Sequence, residues 1–355
     1  MLHVNERRLN QILSALPERK VAILGDFCVD RYFEIDPEIT DVSNESGLPI
    51  HQVTAVRPEP GGGANVVKNM AALGVGGVYP VGLVGVDGEG FELGRILDGL
   101  GVHRDYLRES ETRHTPVFTK PIIIRPGRLP EELNRFDVFP RQPLTEAEEG
   151  ALLADLRAAF ELADTTIVAD YGETGKQGVV TPAVRAALAD LARAHPGKPA
   201  VVDSRLFIDH FRHALVKPNA DEAMTFLGHE PGGEATLVRL NQIGQAVAER
   251  NKRPVLITLG PGGALLCAPG RAQKFPVYPA EDEGDVDTVG SGDATIAAFT
   301  SALAAGAALD EAVIIAMAAA SVTIQEIGTC GTATPDQIRD RFKQYAERFP
   351  EVVAG

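Results

Sequence analysis

Short runs rich in Val, Ile and Ala recur along the chain, each followed by a longer amphipathic stretch, and this alternation limits the fold more than any other feature. Strands are expected at 21–24, 78–84, 165–169, 200–203 and 255–259. Helices are expected at 64–73, 89–100, 146–162, 179–194, 236–250 and 294–305. Strand–helix alternation of this kind predicts an α/β protein with a mainly parallel sheet covered on both faces. Functional sites in such sheets lie beyond the carboxyl ends of the strands. At 355 residues the chain is long enough to bury a substantial core, as one large domain or two ordinary ones.

Two segments break the pattern. Residues 33–59 show no helical period, only short extended pieces such as PIHQVTAV. Residues 105–139 again read as strands, PVFTKPIIIR and LNRFDVF, joined by the turn RPGRLP. Both leave the core after a strand and return to it. They read as two halves of one small β-sheet lid above a core made of 1–32, 60–104 and 140–355; two unrelated surface excursions are the alternative. The most apolar stretch, 294–327, is interrupted by Gly306 and by Asp310–Glu311, so it reads as two buried helices and not as a membrane span.

The formal charge of −15 argues against nucleic-acid and anionic-membrane partners, which need a basic face. A small anion is still compatible, because one pocket can be locally positive. Cys28, Cys267 and Cys330 are far apart, odd in number and without metal-ligand spacing, which suits a reducing compartment. The charged N-terminus lacks the apolar core of a signal peptide. The expectation is a soluble cytoplasmic protein.

Five glycine- or acid-bearing motifs carry the chemistry. In DTVGSGD, residues 287–293, Gly290 and Gly292 let successive N–H groups point into one concavity. The helix that follows adds unsatisfied amides and a positive dipole end. Gly290, Ser291 and Gly292 could then hold an anion, with Asp293 beside it as a proton acceptor. A capped turn is the competing reading. GGGANVVKNMAALG, residues 61–74, opens a helix with glycines at Gly61 and Gly62 and adds the amide of Asn65. It is neither a P-loop nor a dinucleotide fingerprint. In LGDFCVD, Asp26 and Asp30 follow the first strand, where carboxylates can accept from sugar hydroxyls or simply cap a turn. In VKPNADEA, Asn219 and Glu222 share the face of a helix start, placed to organise hydrated magnesium or to cap the helix. ITLGPGGALL sets Gly260, Gly262 and Gly263 between two apolar strands, as in a hairpin, with amides available to a phosphate or ribose.

The order and spacing of LGDFCVD, PGGGANVVKNMAALG, VGLVGVDGEG, KPNADEA, ITLGPGGALL and DTVGSGD resemble the ribokinase (PfkB) family of sugar kinases over nearly the whole chain. Ser291 stands where that family often has alanine. GDFCVDRYF, RPEPGGGANV, RFD, ADYG and AAASVTIQEIGT are most similar to the heptose-phosphate kinases within it. The resemblance implies a three-layer α/β/α core and ATP-dependent phosphoryl transfer to a sugar hydroxyl. Asp293 would be the general base, and the amides of Gly290, Ser291 and Gly292 the anion hole. The sugar would meet Asp26, Asp30, Gly61, Gly62, Asn65 and Asp170. ATP would lie near Asn219, Thr258, Gly260, Gly262 and Gly263 and the helix end at 318–328. Asn219 and Glu222 would hold Mg2+ through water, while Asp287 and the loop 328–332 correspond to places where some relatives bind K+. Arg125, Arg128 or Lys176 would contact a substrate phosphate, and a homodimer would form through the lid.

The chain departs from the heptose kinases in SNESGLPI, in the missing early lysine after Asp170–Tyr171, and in the turn RPGRLPEELNRF. It has no H-x-G-H nucleotidylyltransferase motif, so a kinase alone is expected. Ribose, fructose, 2-keto-3-deoxygluconate or nucleoside kinases, and a non-catalytic nucleotide- or sugar-binding regulator, are the other readings.

Overall fold

The computed structural model of the chain describes residues 4–39, 41–172, 177–226, 235–278 and 284–350. Its main sheet has nine strands in the order Arg271–Phe275, Ala264–Ala268, Val255–Thr258, Leu215–Val216, Ala200–Ser204, Thr165–Asp170, Lys20–Gly25, Gly77–Gly85 and Tyr106–Ser110. The pairings from Val255–Thr258 to Tyr106–Ser110 are parallel. The last two strands on the other side fold back antiparallel, so ITLGPGGALL is indeed a hairpin. Thr165–Asp170 and Ala200–Ser204 are buried at every position, as central strands of a doubly covered sheet must be.

Helix starts are set by local chemistry. Thr145 and Glu148 form a capping box ahead of Glu146–Leu162. The helix expected from 179 begins only at Pro182, because Thr181 caps Val184 and proline takes the first helical position. Val179 and Val180 lie in a bend closed by the Thr181 amide on Val179 O at 3.0 Å. The helix expected from 294 begins earlier, at Ser291, and runs to Ala304; with Leu309–Thr323 it forms the apolar pair read from 294–327. Among the described residues no helix is long and apolar enough to cross a membrane.

A second sheet has Phe27–Ile35 at its centre, antiparallel to Val53–Gly62 and parallel to Val117–Ile123, with Phe136–Val138 beyond. Its central strand starts at Phe27, earlier than the expected 33, since only Asp26 separates it from the main-sheet strand Lys20–Gly25. Tyr106–Ser110, read as part of the lid, instead pairs with Gly77–Gly85 in the main sheet, where Tyr106 meets the ring of Tyr79. Arg31 anchors one face of the small sheet on the core by ion pairs to Glu89 and Glu92 of helix Gly88–Gly99. Cys28, Asp30 and Lys120 line a cavity between this sheet and the core.

Candidate active site

Helix Ser291–Ala304 brings Asp293 to the wall shared by two cavities. Asn65 Nδ2 donates to its Oδ2 at 2.7 Å, and the Tyr171 hydroxyl donates to its Oδ1 at 2.7 Å. Asp293 keeps partial exposure toward the cavities but is closely surrounded by protein. Burial pushes its carboxyl up to about 6, against the two hydrogen bonds and Lys217, which favour the charged form. At neutral pH it is therefore mostly a carboxylate, and a base of useful strength.

The turn before it is built on Gly290, whose φ of 78° is the left-handed region that glycine alone adopts freely. A Cβ there would also lie 3.0 Å from Asn65 Nδ2 and from Cys330 Cβ. The first intrahelical bond runs from Ala294 N to Gly290 O, so the amides before it lie outside the helix ladder. One of them differs from the expected anion hole. The Ser291 amide closes a turn onto Thr288 O at 3.2 Å, so it is already engaged.

The first cavity, about 270 Å³, is lined by Asp26, Asp30, Gly61, Gly62 and Asn65, with Lys120, Arg135 and Arg205 adding positive charge. Asp30 accepts from Lys120 Nζ at 2.7 Å. Burial opposes the lysine's charge, but Asp30 outweighs it and holds the ammonium above its ordinary range. Gly61 is required by close approach, since a Cβ would sit 2.6 Å from the Asp30 carboxylate. Asp26 Oδ1 accepts from Val179 N, while Asp26 Oδ2 and Asn65 Oδ1 are buried without a partner. Both residues line this cavity, whose mixture of carboxylates, an amide and cations suits a polar ligand.

The second cavity, about 610 Å³, is lined by Asn219, Glu222, Thr258, Gly260 and Gly263, by Ser291 and Gly292, and by the apolar Val277, Met317 and Ile324. Asn219 and Glu222 form a reciprocal capping box: Asn219 Oδ1 accepts from Glu222 N and Glu222 Oε2 from Asn219 N, both at 2.8 Å. Burial and the nearby Asp203 raise the Glu222 carboxyl. Lys217 Nζ pairs with Asp203 at 2.9 Å and adds buried positive charge to this wall. Gly262 lies in the same turn as Gly260 and Gly263, though not on the cavity surface.

Three predicted residues are placed elsewhere. The Asp170 carboxylate accepts from the Ser204 hydroxyl at 2.7 Å and approaches Arg185 at 3.9 Å, away from both cavity linings. Burial, then Asp26, pushes it up to about 7. Its neighbour Tyr171, the first residue past the strand, reaches the site instead. Arg125 pairs with Glu131 outside the lining, and Arg128 does not line either cavity. Lys176 lies outside the described residues. Sequence reasoning also missed Lys120, Arg135, Tyr171, Asp203, Arg205 and Lys217. Of these, Arg135, Tyr171 and Lys217 lie within motifs singled out beforehand, RFD, ADYG and VKPNADEA.

Comparison with known proteins gives a family match over residues 138–337 to the pfkB family carbohydrate kinases. The bifunctional protein HldE of Azorhizobium caulinodans is 33% identical over 336 residues, which cover 93% of this chain and 65% of that protein. HldE of Stutzerimonas stutzeri is 29% identical over 319 residues, covering 89% and 62%. The chain thus spans a little under two thirds of these curated relatives. Among solved structures, phosphofructokinase-2 of Escherichia coli in complex with potassium superimposes with a TM-score of 0.71 at 22% identity, covering 92% of this chain and 99% of that one. Arabidopsis thaliana ribokinase complexed with ribose and ATP gives 0.66 at 21% identity and the same coverages. The fold is ribokinase-like.

Proposed function

We propose, from the premise that this chain belongs to the pfkB family of carbohydrate kinases, that it moves the γ-phosphoryl group of ATP to a hydroxyl of a phosphorylated sugar, heptose 7-phosphate being the leading candidate. The observation that carries this reading is the single carboxylate, Asp293, standing between two cavities of different character. The smaller holds the sugar, whose hydroxyls donate to Asp26 Oδ2, Asn65 Oδ1 and Asp30. Arg135 and Arg205 line the same cavity and offer positive charge to an anionic group of the substrate. The larger holds ATP along Thr258, Gly260 and Gly263.

Asp293 takes the proton of the attacking hydroxyl, oriented by Asn65 and Tyr171. Amides of the 290–292 turn and the helix end stabilise charge on the phosphoryl group in transfer. Asn219 and Glu222 offer oxygens on the nucleotide side, and their capping bonds leave a lone pair or a second oxygen free. That fits Mg2+ held through its own waters. When bound, Mg2+ neutralises phosphate charge.

The small sheet acts as a lid over the sugar. Its exposed Val53, Val56, Phe136 and Val138 favour a homodimer that covers them, which light scattering on the pure protein tests. In this reading the protein works in the cytoplasm, where ATP is available. The deciding experiment is ATP consumption with heptose 7-phosphate, fructose 6-phosphate, ribose and 2-keto-3-deoxygluconate, with product NMR to locate the new phosphate. Preferred turnover of an unphosphorylated sugar would reject the sugar-phosphate assignment, and ATP binding without transfer to any of them would reject the kinase.

A further inference from the structure

The loop after helix Leu309–Thr323 packs against the anion-hole turn and is held there by charged groups of the small sheet and of helix Gly63–Ala72. Arg57, on strand Val53–Gly62, donates Nη2 to Gly328 O at 2.9 Å. Lys68, on helix Gly63–Ala72, donates Nζ to Cys330 O at 3.0 Å. Glu59 joins the two cations, accepting from Arg57 Nη1 at 3.3 Å and from Lys68 at 3.0 Å, while Glu34 faces Arg57 Nε at 3.4 Å. The Arg57 guanidinium also lies over the Tyr32 ring, 4.3 Å from its centroid.

On the opposite side the same loop meets Asp287. Asp287 Oδ2 accepts from Gly328 N at 2.9 Å and its Oδ1 from Val289 N at 3.0 Å, while Asp287 N donates to Ile324 O at 2.8 Å. Among the acceptors named for a potassium site, the Asp287 carboxylate is engaged by amides, and the carbonyls of Gly328 and Cys330 are engaged by two fixed cations. A potassium ion on Gly328 O or Cys330 O would sit beside a guanidinium and an ammonium, which Coulomb repulsion disfavours. The residues present do not fit a resident potassium ion.

We propose that Arg57 and Lys68 are positioning residues that do with covalently attached charge what a bound monovalent cation would do. They pin loop 328–330 against Gly290 and Asp287, so transfer by this chain is independent of potassium. Because the same side chains belong to the strand that ends in Gly61 and Gly62 and to the helix that carries Asn65, the pin also ties the sugar wall to the phosphoryl-transfer turn. The functional part of this inference rests on the kinase reading; the cation part does not.

The test uses the full chain in potassium chloride and in tetramethylammonium chloride at equal ionic strength. The thermal midpoint should be the same in both salts, and turnover with ATP and the preferred sugar should agree within about two-fold. A saturable, potassium-specific rise in midpoint, or activation of roughly ten-fold or more, overturns the proposal. Lys68→Met and Arg57→Met should each lower kcat about ten-fold with ATP KM changed less than about two-fold, and Arg57→Lys should recover most of the loss. Variants that lose thermal stability with kcat intact show a merely structural role and overturn it too. If no sugar is phosphorylated in either salt, the kinase reading has failed, and the midpoint comparison alone still decides whether potassium binds.

Discussion

The two cavities that meet at Asp293 are built from different materials. The sugar side, about 270 Å³, presents carboxylates and an amide whose positions are fixed by partners and whose spare acceptors are left unpaired. The nucleotide side, about 610 Å³, combines a glycine turn and apolar side chains with polar groups already paired to one another, Asn219 with Glu222 and Lys217 with Asp203. Unpaired buried acceptors penalise any ligand that lacks a matching hydroxyl. Backbone turns and apolar walls ask less of their ligand. Selectivity should therefore reside on one side of Asp293, and tolerance on the other.

The severest way to break the comparison is to remove the group common to both sides. Asp293→Asn should cut turnover by roughly 10³-fold or more while ATP binding, followed by calorimetry, stays near wild type. Near-normal turnover would reject the base. Asn65→Ala strikes the sugar side and the orientation of the base together, and steady-state kinetics should show kcat lowered about 10²-fold with little change in ATP KM. Glu222→Gln should do the reverse, raising ATP KM about ten-fold at limiting magnesium while sugar KM holds. An equal change in both KM values would mean the two sides are not separate.

Two smaller effects follow from the carboxyl at about 6. Turnover should fall about ten-fold per pH unit below that value, and the limb should move if Tyr171→Phe removes one of its hydrogen bonds. The same shift bears on stability. A carboxyl raised from 3.8 binds its proton more tightly in the folded state, so the ionised form destabilises the fold progressively from about pH 4 to about 6, and by a constant amount above. Asp293→Asn should therefore be the more stable protein at pH 8, by roughly 1–3 kcal/mol in urea melts, with the gap closing near pH 4.

Six strands of the main sheet were legible because they are continuous apolar runs bounded by glycine, proline and caps; 165–169 and 200–203 are each only one residue short at the carboxyl end, while Leu215–Val216 is too short and Arg271–Phe275 too polar to read as strands. Tyr106–Ser110 was misplaced because a five-residue edge strand, largely polar and buried only at Ser110, carries no pattern that assigns it to one sheet over the other. Within the site, glycine motifs announced the backbone parts, yet the pattern of a strand buried on both faces could not say whether Asp170 or Tyr171 turns toward the cavity. Lys120 was invisible for another reason. It meets Asp30 only because Val117–Ile123 docks alongside Phe27–Ile35 with Tyr32 opposite Lys120, a register that no local signal encodes.

The bond between Asn65 and Asp293 spans 228 residues of sequence. On a ribosome Asn65 is made that whole length before Asp293, so the two cavity walls cannot join until the later residue has emerged. The base lies on a helix that also fills the core, so a truncated or half-made chain has neither a complete interior nor the carboxylate. Unfinished molecules of this protein would consume no ATP, and the appearance of activity during synthesis would time the moment at which the interior closes.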